Sequence, residues 1–172
     1  MIGVVETGWL LEKVIRNIRR FVVMTPEQSL AVGLWVLHTH AVDASDCAPY
    51  IDVSSPTREY GETRLFEALE LVVCKPRLCT SHTEATLFRM IESEHPTLLL
   101  DDIDMRFGKD PASYAGTRGV LDEGHRRGGS VPRMVGEGKN LTMKFFDVFG
   151  RRPSPASARS RRRSPAARSR SG

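Results

Sequence analysis

The chain has 172 residues, with 25 Lys plus Arg against 21 Asp plus Glu, 40% apolar residues and a net charge of +4. Such a length and apolar content suit one folded domain whose core needs no disulfide or metal, and they exclude a wholly disordered chain. The longest apolar stretches, such as Leu30 to Leu37, fall far short of the roughly 20 residues that cross a bilayer, and no basic, apolar and cleavage-site series opens the sequence, so a cytoplasmic protein with no membrane partner is expected.

Leu10, Leu11, Val14, Ile15, Ile18 and Val22 recur at helical spacing with Lys13, Arg16, Asn17, Arg19 and Arg20 between them, which predicts an amphipathic first helix. Thr25-Pro26-Glu27-Gln28 supplies an N-cap, a proline at the first helical position and a capping-box glutamine, so a second helix runs to about Val42. Tyr50 to Ser54 reads as a short strand, followed by a loop and a helix through Leu65, Phe66, Leu69 and Val72. Ser81-His82-Thr83-Glu84 reads as a capping box for a helix that stops before Pro96. Thr97 to Asp101 is an apolar run ending in acids, the pattern of a central parallel strand. A last helix is predicted over Tyr114 to Arg127, ended by Gly128-Gly129. Strands alternating with helices predict an α/β fold with a parallel sheet, flanking helices and an N-terminal helical segment. The Tyr50 to Ser54 and Thr97 to Asp101 strands are expected side by side or nearly so, with Gly61 and Asp101 at one sheet edge.

Strand, loop with Gly61-Glu62-Thr63, helix and then a second strand ending in Asp101-Asp102 is the layout of a P-loop nucleotide-binding domain. In the usual G-x-x-x-x-G-K-[ST] loop, backbone amides cradle phosphates, Lys reaches the β and γ oxygens and Thr holds Mg²⁺. Gly61 and Thr63 match that pattern; Pro56 replaces the first Gly and Glu62 replaces the Lys. An apolar strand ending in two carboxylates gives Asp101 the role of Mg²⁺ ligand and Asp102 that of activating the attacking water. The plainer reading is that Asp101, Asp102 and Asp104 end a strand and face solvent.

His38-Thr39-His40, Pro49-Tyr50, Ser54-Ser55-Pro56, Gly61-x-Thr63-Arg64-Leu65, Thr97 to Asp101 and Gly124-His125-Arg126-Arg127-Gly128-Gly129 together resemble a family of P-loop domains of unknown function. That family occurs in phage, plasmid and bacterial chromosomal genes, often beside or fused to primase-type replication modules. The resemblance runs from about Leu10 to Gly150. It implies ATP and Mg²⁺ as cofactors, a degenerate phosphate loop at Gly61, Glu62, Thr63 and Arg64, Mg²⁺ on Thr63 and Asp101, and a phosphate contact at Arg126 and Arg127. Proline at the position of Pro56 is common in the family, whereas Glu62 departs from its lysine. Residues 1–45 then form N-terminal helices and 46–150 a P-loop core, incomplete at its C-terminus by comparison with the family. Catalysis is expected to be lost; an active NTPase using Arg58 or Arg64 in place of the lysine is the rival enzymatic reading.

Simpler readings cover the other conspicuous residues. His38 and His40 lack the C-x-x-C or H-x-x-x-H spacing of a zinc site. Three cysteines, Cys47, Cys74 and Cys79, make an odd number without framework spacing, which fits a reducing compartment and apolar filling. Arg126 and Arg127 also suit the C-terminus of a helix as partners of its dipole, the functional alternative being contact with a nucleotide phosphate or a DNA backbone. Residues 151–172 hold eight Arg and no acid, so 1–150 carries 17 bases against 21 acids. Five residue types in that tail predict disorder. It reads either as a nucleic-acid-binding arm or as out-of-frame translation of a GC-rich gene. The first of these makes the rival functional class a non-enzymatic nucleic-acid-binding protein.

Overall fold

The computed structural model describes residues 5–53, 62–80, 83–100, 115–136, 138 and 140–149. In chain order these form α1 (Thr7–Ile18), α2 (Pro26–Ala41), a 3₁₀ turn (Val42–Ala44), α3 (Glu62–Glu70), β1 (Pro76–Cys79), α4 (Glu84–Glu94), β2 (Thr97–Leu100), α5 (Ala115–Gly124), β3 (Ser130–Val135) and β4 (Thr142–Asp147). The fold is mixed α/β. Its described strands make one parallel pair, β1–β2, and one antiparallel hairpin, β3–β4.

The capping box read at Thr25 is present in full. Gln28 N donates to Thr25 Oγ1 at 3.2 Å, and Thr25 N donates to Gln28 Oε1 at 3.0 Å. Two orphan amides at the start of α2 are thereby satisfied. Gly33 lets α1 approach α2 closely, because a Cβ there would lie 2.7 Å from Ile15 Cγ1 and 2.9 Å from Leu11 Cδ1. The resulting helical pair buries Ile18, Val32 and Val36 against Leu65, Leu69 and Val73 of the α3 segment.

β2 explains why its sequence is apolar throughout. Successive strand residues face opposite sides of a sheet. Leu99 is buried with the α1–α3 cluster, while its neighbour Leu98 packs on a second cluster of Leu87, Phe88, Ile91, Val120, Val131, Phe146 and Val148. A strand covered on both faces has no polar face to alternate with.

The partner of β2 differs from expectation. β2 pairs in parallel with β1, in the register Pro76↔Thr97 to Cys79↔Leu100. Residues 50–53, the described part of the predicted Tyr50 to Ser54 strand, form no strand. Ile51 and Val53 instead lie half-buried against the helical core, and Trp35 Nε1 donates to the Pro49 carbonyl at 2.9 Å. β-branched residues mark a fit to a half-buried surface, and here a helical face provides it. β1 was hidden because Pro76 and Arg77 break its apolar pattern; its exposed edge position tolerates both. At β2, Asp101 lies outside the described residues.

Two boundaries also move. The N-cap of α4 is Thr83, whose Oγ1 accepts from Thr86 N at 3.3 Å, two residues after the predicted Ser81 cap, which lies outside the described residues. α5 ends at Gly124, three residues before the predicted Arg127. The chain leaves the helix there because 125–127 pair with 46–48: Ala48 N donates to His125 O at 2.9 Å and Arg127 N to Asp46 O at 3.0 Å. Beyond Gly129 the sequence reading predicted no further element, and the hairpin occupies that region. Its strands pair from Ser130↔Asp147 to Val135↔Thr142.

Candidate functional site

α3 runs from Glu62, so Glu62, Thr63 and Arg64 form its first turn, whereas the sequence reading places Glu62 and Thr63 in the preceding loop. The first helical turn exposes amides that favour a negative charge. Glu62 itself brings such a charge, which suits the helix and opposes an incoming phosphate. Thr63 is exposed. Arg64 is exposed as well and pairs with Glu67 at 3.0 Å, one turn along the same helix. Behind this turn, Leu65 belongs to the same buried cluster as Leu99 of β2. Gly61, Asp101 and Asp102, and Arg58, lie outside the described residues.

Arg126 and Arg127 stand on the turn between α5 and β3. Arg127 Nε meets Asp46 Oδ1 at 2.7 Å, and its Nη2 donates to the carbonyls of Asp43, at 3.1 Å, and Ser45. These contacts fasten the turn to the 43–46 segment. Arg126 Nε donates to His125 Nε2 at 2.9 Å, and Arg126 bridges Cys47 through the backbone. The Tyr50 hydroxyl adjoins Gly124, where an added Cβ would come within 2.8 Å of it. Burial of that phenol, and then the charges of Asp122 and Cys47, push its pKa up to about 12.

His40 Nε2 lies 2.8 Å from the Val72 carbonyl, a distance at which a protonated Nε2 donates; the ring thus ties the end of α2 to the turn after α3. Thr39 does similar work, accepting from Cys74 N at 3.1 Å. Cys47, Cys74 and Cys79 are free thiols, and burial pushes the Cys79 thiol up against the opposing influence of Arg77. Among the described residues no group of three or more His, Cys, Asp or Glu could hold a metal ion, and no helix is long and apolar enough to cross a membrane.

A second constellation lies on the outer side of α1. Trp9, Lys13 and Arg16 follow one another at i, i+4 and i+7, and Arg19 and Arg20 close the helix. Lys13 Nζ stands 5.2 Å from the centre of the Trp9 ring, Arg16 meets Glu12 at 2.7 Å, and a shallow cavity of about 350 Å³ is lined by Glu12, Ile15, Arg16, Arg19 and Arg20. In sequence these cations read as the polar side of an amphipathic helix and, with Arg126 and Arg127, as the place to which DNA binding by the body alone would be assigned. The signal that reading passes over is Trp9, which falls on the cationic side. Comparison of the chain with family models, curated proteins and solved structures finds no match.

Proposed function

We propose that the chain is a P-loop NTPase-like domain with a degenerate phosphate site, of the kind associated with phage or plasmid DNA replication, in which Mg·ATP binding is weak and hydrolysis is lost. The observation that carries this reading is the common core of Leu65 and Leu99. It supports the reading in that the helix following Gly61 and the strand preceding Asp101 and Asp102 share one core, these being the two places where a P-loop domain keeps its phosphate loop and its acids.

Electrostatics supplies the weakness. Exchanging Lys for Glu at position 62 turns an attraction to the triphosphate into a repulsion, each charge pair being worth about 4 kcal/mol at ~4 Å and an effective dielectric near 20. The helix N-terminus returns only about 0.3 to 2 kcal/mol. After discounting for solvent and Mg²⁺, a net loss of about 4 kcal/mol corresponds to roughly a thousandfold weaker binding. Isothermal titration with Mg·ATP is expected to give no measurable binding by the wild type and measurable binding, without hydrolysis, by Glu62→Lys. Micromolar binding by the wild type would overturn this reading and give the lysine's role to Arg58 or Arg64.

A second reading rests on residues 151–172, whose eight arginines face no acid in that stretch. The tail then retains duplex DNA without sequence preference. Counterion release makes such retention fall sharply between roughly 50 and 200 mM salt. Replacing all eight arginines by glutamine is expected to abolish duplex retention.

A further inference from the structure

We propose that the outer face of α1 is a docking surface for single-stranded nucleic acid, with Trp9 as a stacking platform and Lys13, Arg16, Arg19 and Arg20 as phosphate ligands. The site is independent of the nucleotide reading above. Its first support is charge. Residues 13–20 hold four bases and no acid, while the rest of 1–150 holds 13 bases against 21 acids. The end of α1 and the two residues after it therefore carry a local excess of positive charge in an otherwise acidic body. Among the described residues, Lys13, Arg19 and Arg20 have no carboxylate partner, and only Arg16 is paired, with Glu12.

Its second support is the placement of Trp9. Most of the other side of α1 is used by the fold: Leu11 and Ile15 press on Gly33, Ile18 is buried, and Val14 packs against the same core, while Leu10 at its margin is partly exposed. Trp9 takes no part in that core and is 53% exposed. An interfacial membrane helix immerses a continuous apolar face; of the large apolar side chains of α1 only Trp9 and Leu10 are exposed. What the helix offers outward is chiefly one indole beside cations, with Lys13 against the ring and Glu12 paired to Arg16. Single strands are held by this combination, bases stacking on aromatic rings while a cationic track neutralises the backbone. Paired bases in a duplex have no face free to stack, which gives the preference for single strands.

The test uses the full chain with its eight tail arginines replaced by glutamine, so that the tail contributes nothing. Labelled oligo(dT), a duplex, polyglutamate and phosphatidylglycerol vesicles are titrated against it. Oligo(dT) is expected to bind best and to quench tryptophan fluorescence. Trp9→Ala is expected to weaken oligo(dT) binding about 5- to 150-fold, the range for loss of one stacked base, and to leave duplex binding unchanged. Changing Lys13, Arg16 and Arg20 together to Ala is expected to reduce the slope of log K against log salt by about 2, at ~0.7 per phosphate contact. Glu12→Gln frees Arg16 and is expected to tighten binding several-fold, a gain that damage to the fold would not produce. Oligo(dT) binding unaffected by Trp9→Ala and by the triple change overturns the proposal. So does equal or tighter binding of polyglutamate or vesicles.

Discussion

The parallel pair β1–β2 and the hairpin β3–β4 have two strands each, but they are covered differently. β2 meets apolar side chains on both faces, Leu99 on one and Leu98 on the other. The hairpin sends Val131 and Phe146 inward and sets Arg133 over the Phe88 ring at 4.8 Å, whereas its outer face carries the directly opposed pairs Pro132↔Phe145 and Met134↔Met143. Phe145 is 62% exposed and Met143 63%. Apolar sequence therefore has two meanings in this protein. In β2 it reports burial on two sides; in β4 it reports an apolar face open to solvent.

The comparison is broken most directly by truncating one residue of each kind. Leu99→Ala is expected to lower the stability to unfolding in urea by about 2 to 5 kcal/mol, the range for a buried Leu that leaves a cavity. Phe145→Ala is expected to change it by no more than about 0.5 kcal/mol, as at other exposed sites. Equal effects would show that the hairpin's outer face is covered after all. Next in size is Gly129→Ala, at the base of the hairpin, where a Cβ would collide with the Glu123 carbonyl oxygen. The backbone must shift to admit it, and a loss of more than about 1 kcal/mol is expected in thermal unfolding. Arg127→Ala removes the guanidinium that fastens the same turn to Asp46; its exposed partner limits the expected loss to about 1 kcal/mol. The smallest change in stability and the largest in behaviour belong to Met143→Thr combined with Phe145→Thr. Unfolding should be nearly unmoved, while light scattering should show less self-association, because uncovered apolar strands invite pairing between chains.

Local signals in the sequence were legible where one short segment decides its own structure. The Thr25 to Gln28 box fixes the start of α2 from within four residues, and the apolar run at 97–100 marks β2. What escaped depends on partners distant in sequence. Tyr50 to Val53 has the composition of a strand, but the surface that receives Ile51 and Val53 is helical. Pro76-Arg77 and Pro132 argue against strands, yet β1 and β3 form because parallel and antiparallel neighbours stand ready to pair with them. The candidate site was legible in the same uneven way. In sequence Glu62 and Thr63 read as loop residues, yet they lie in the first turn of α3, and nothing local indicated that Arg64 would turn to Glu67 or Arg127 to Asp46. Trp9 was visible all along as a residue out of phase with the apolar positions of α1.

The fastening of Arg127 to the carbonyls of Asp43 and Ser45 joins positions 84 and 82 residues apart. Closing so long a chain carries an entropy cost that grows only slowly with length, about 0.6 kcal/mol per doubling, but it must be met before the contact yields anything. The α1–α2 pair, whose contacts are close in sequence, has no such delay. The helical pair is therefore expected to assemble before the clasp closes. Stopped-flow traces of Arg127→Ala should accordingly show a faster unfolding rate and an almost unchanged refolding rate. The clasp thus sets how long a folded molecule stays folded, and hardly how quickly it gets there.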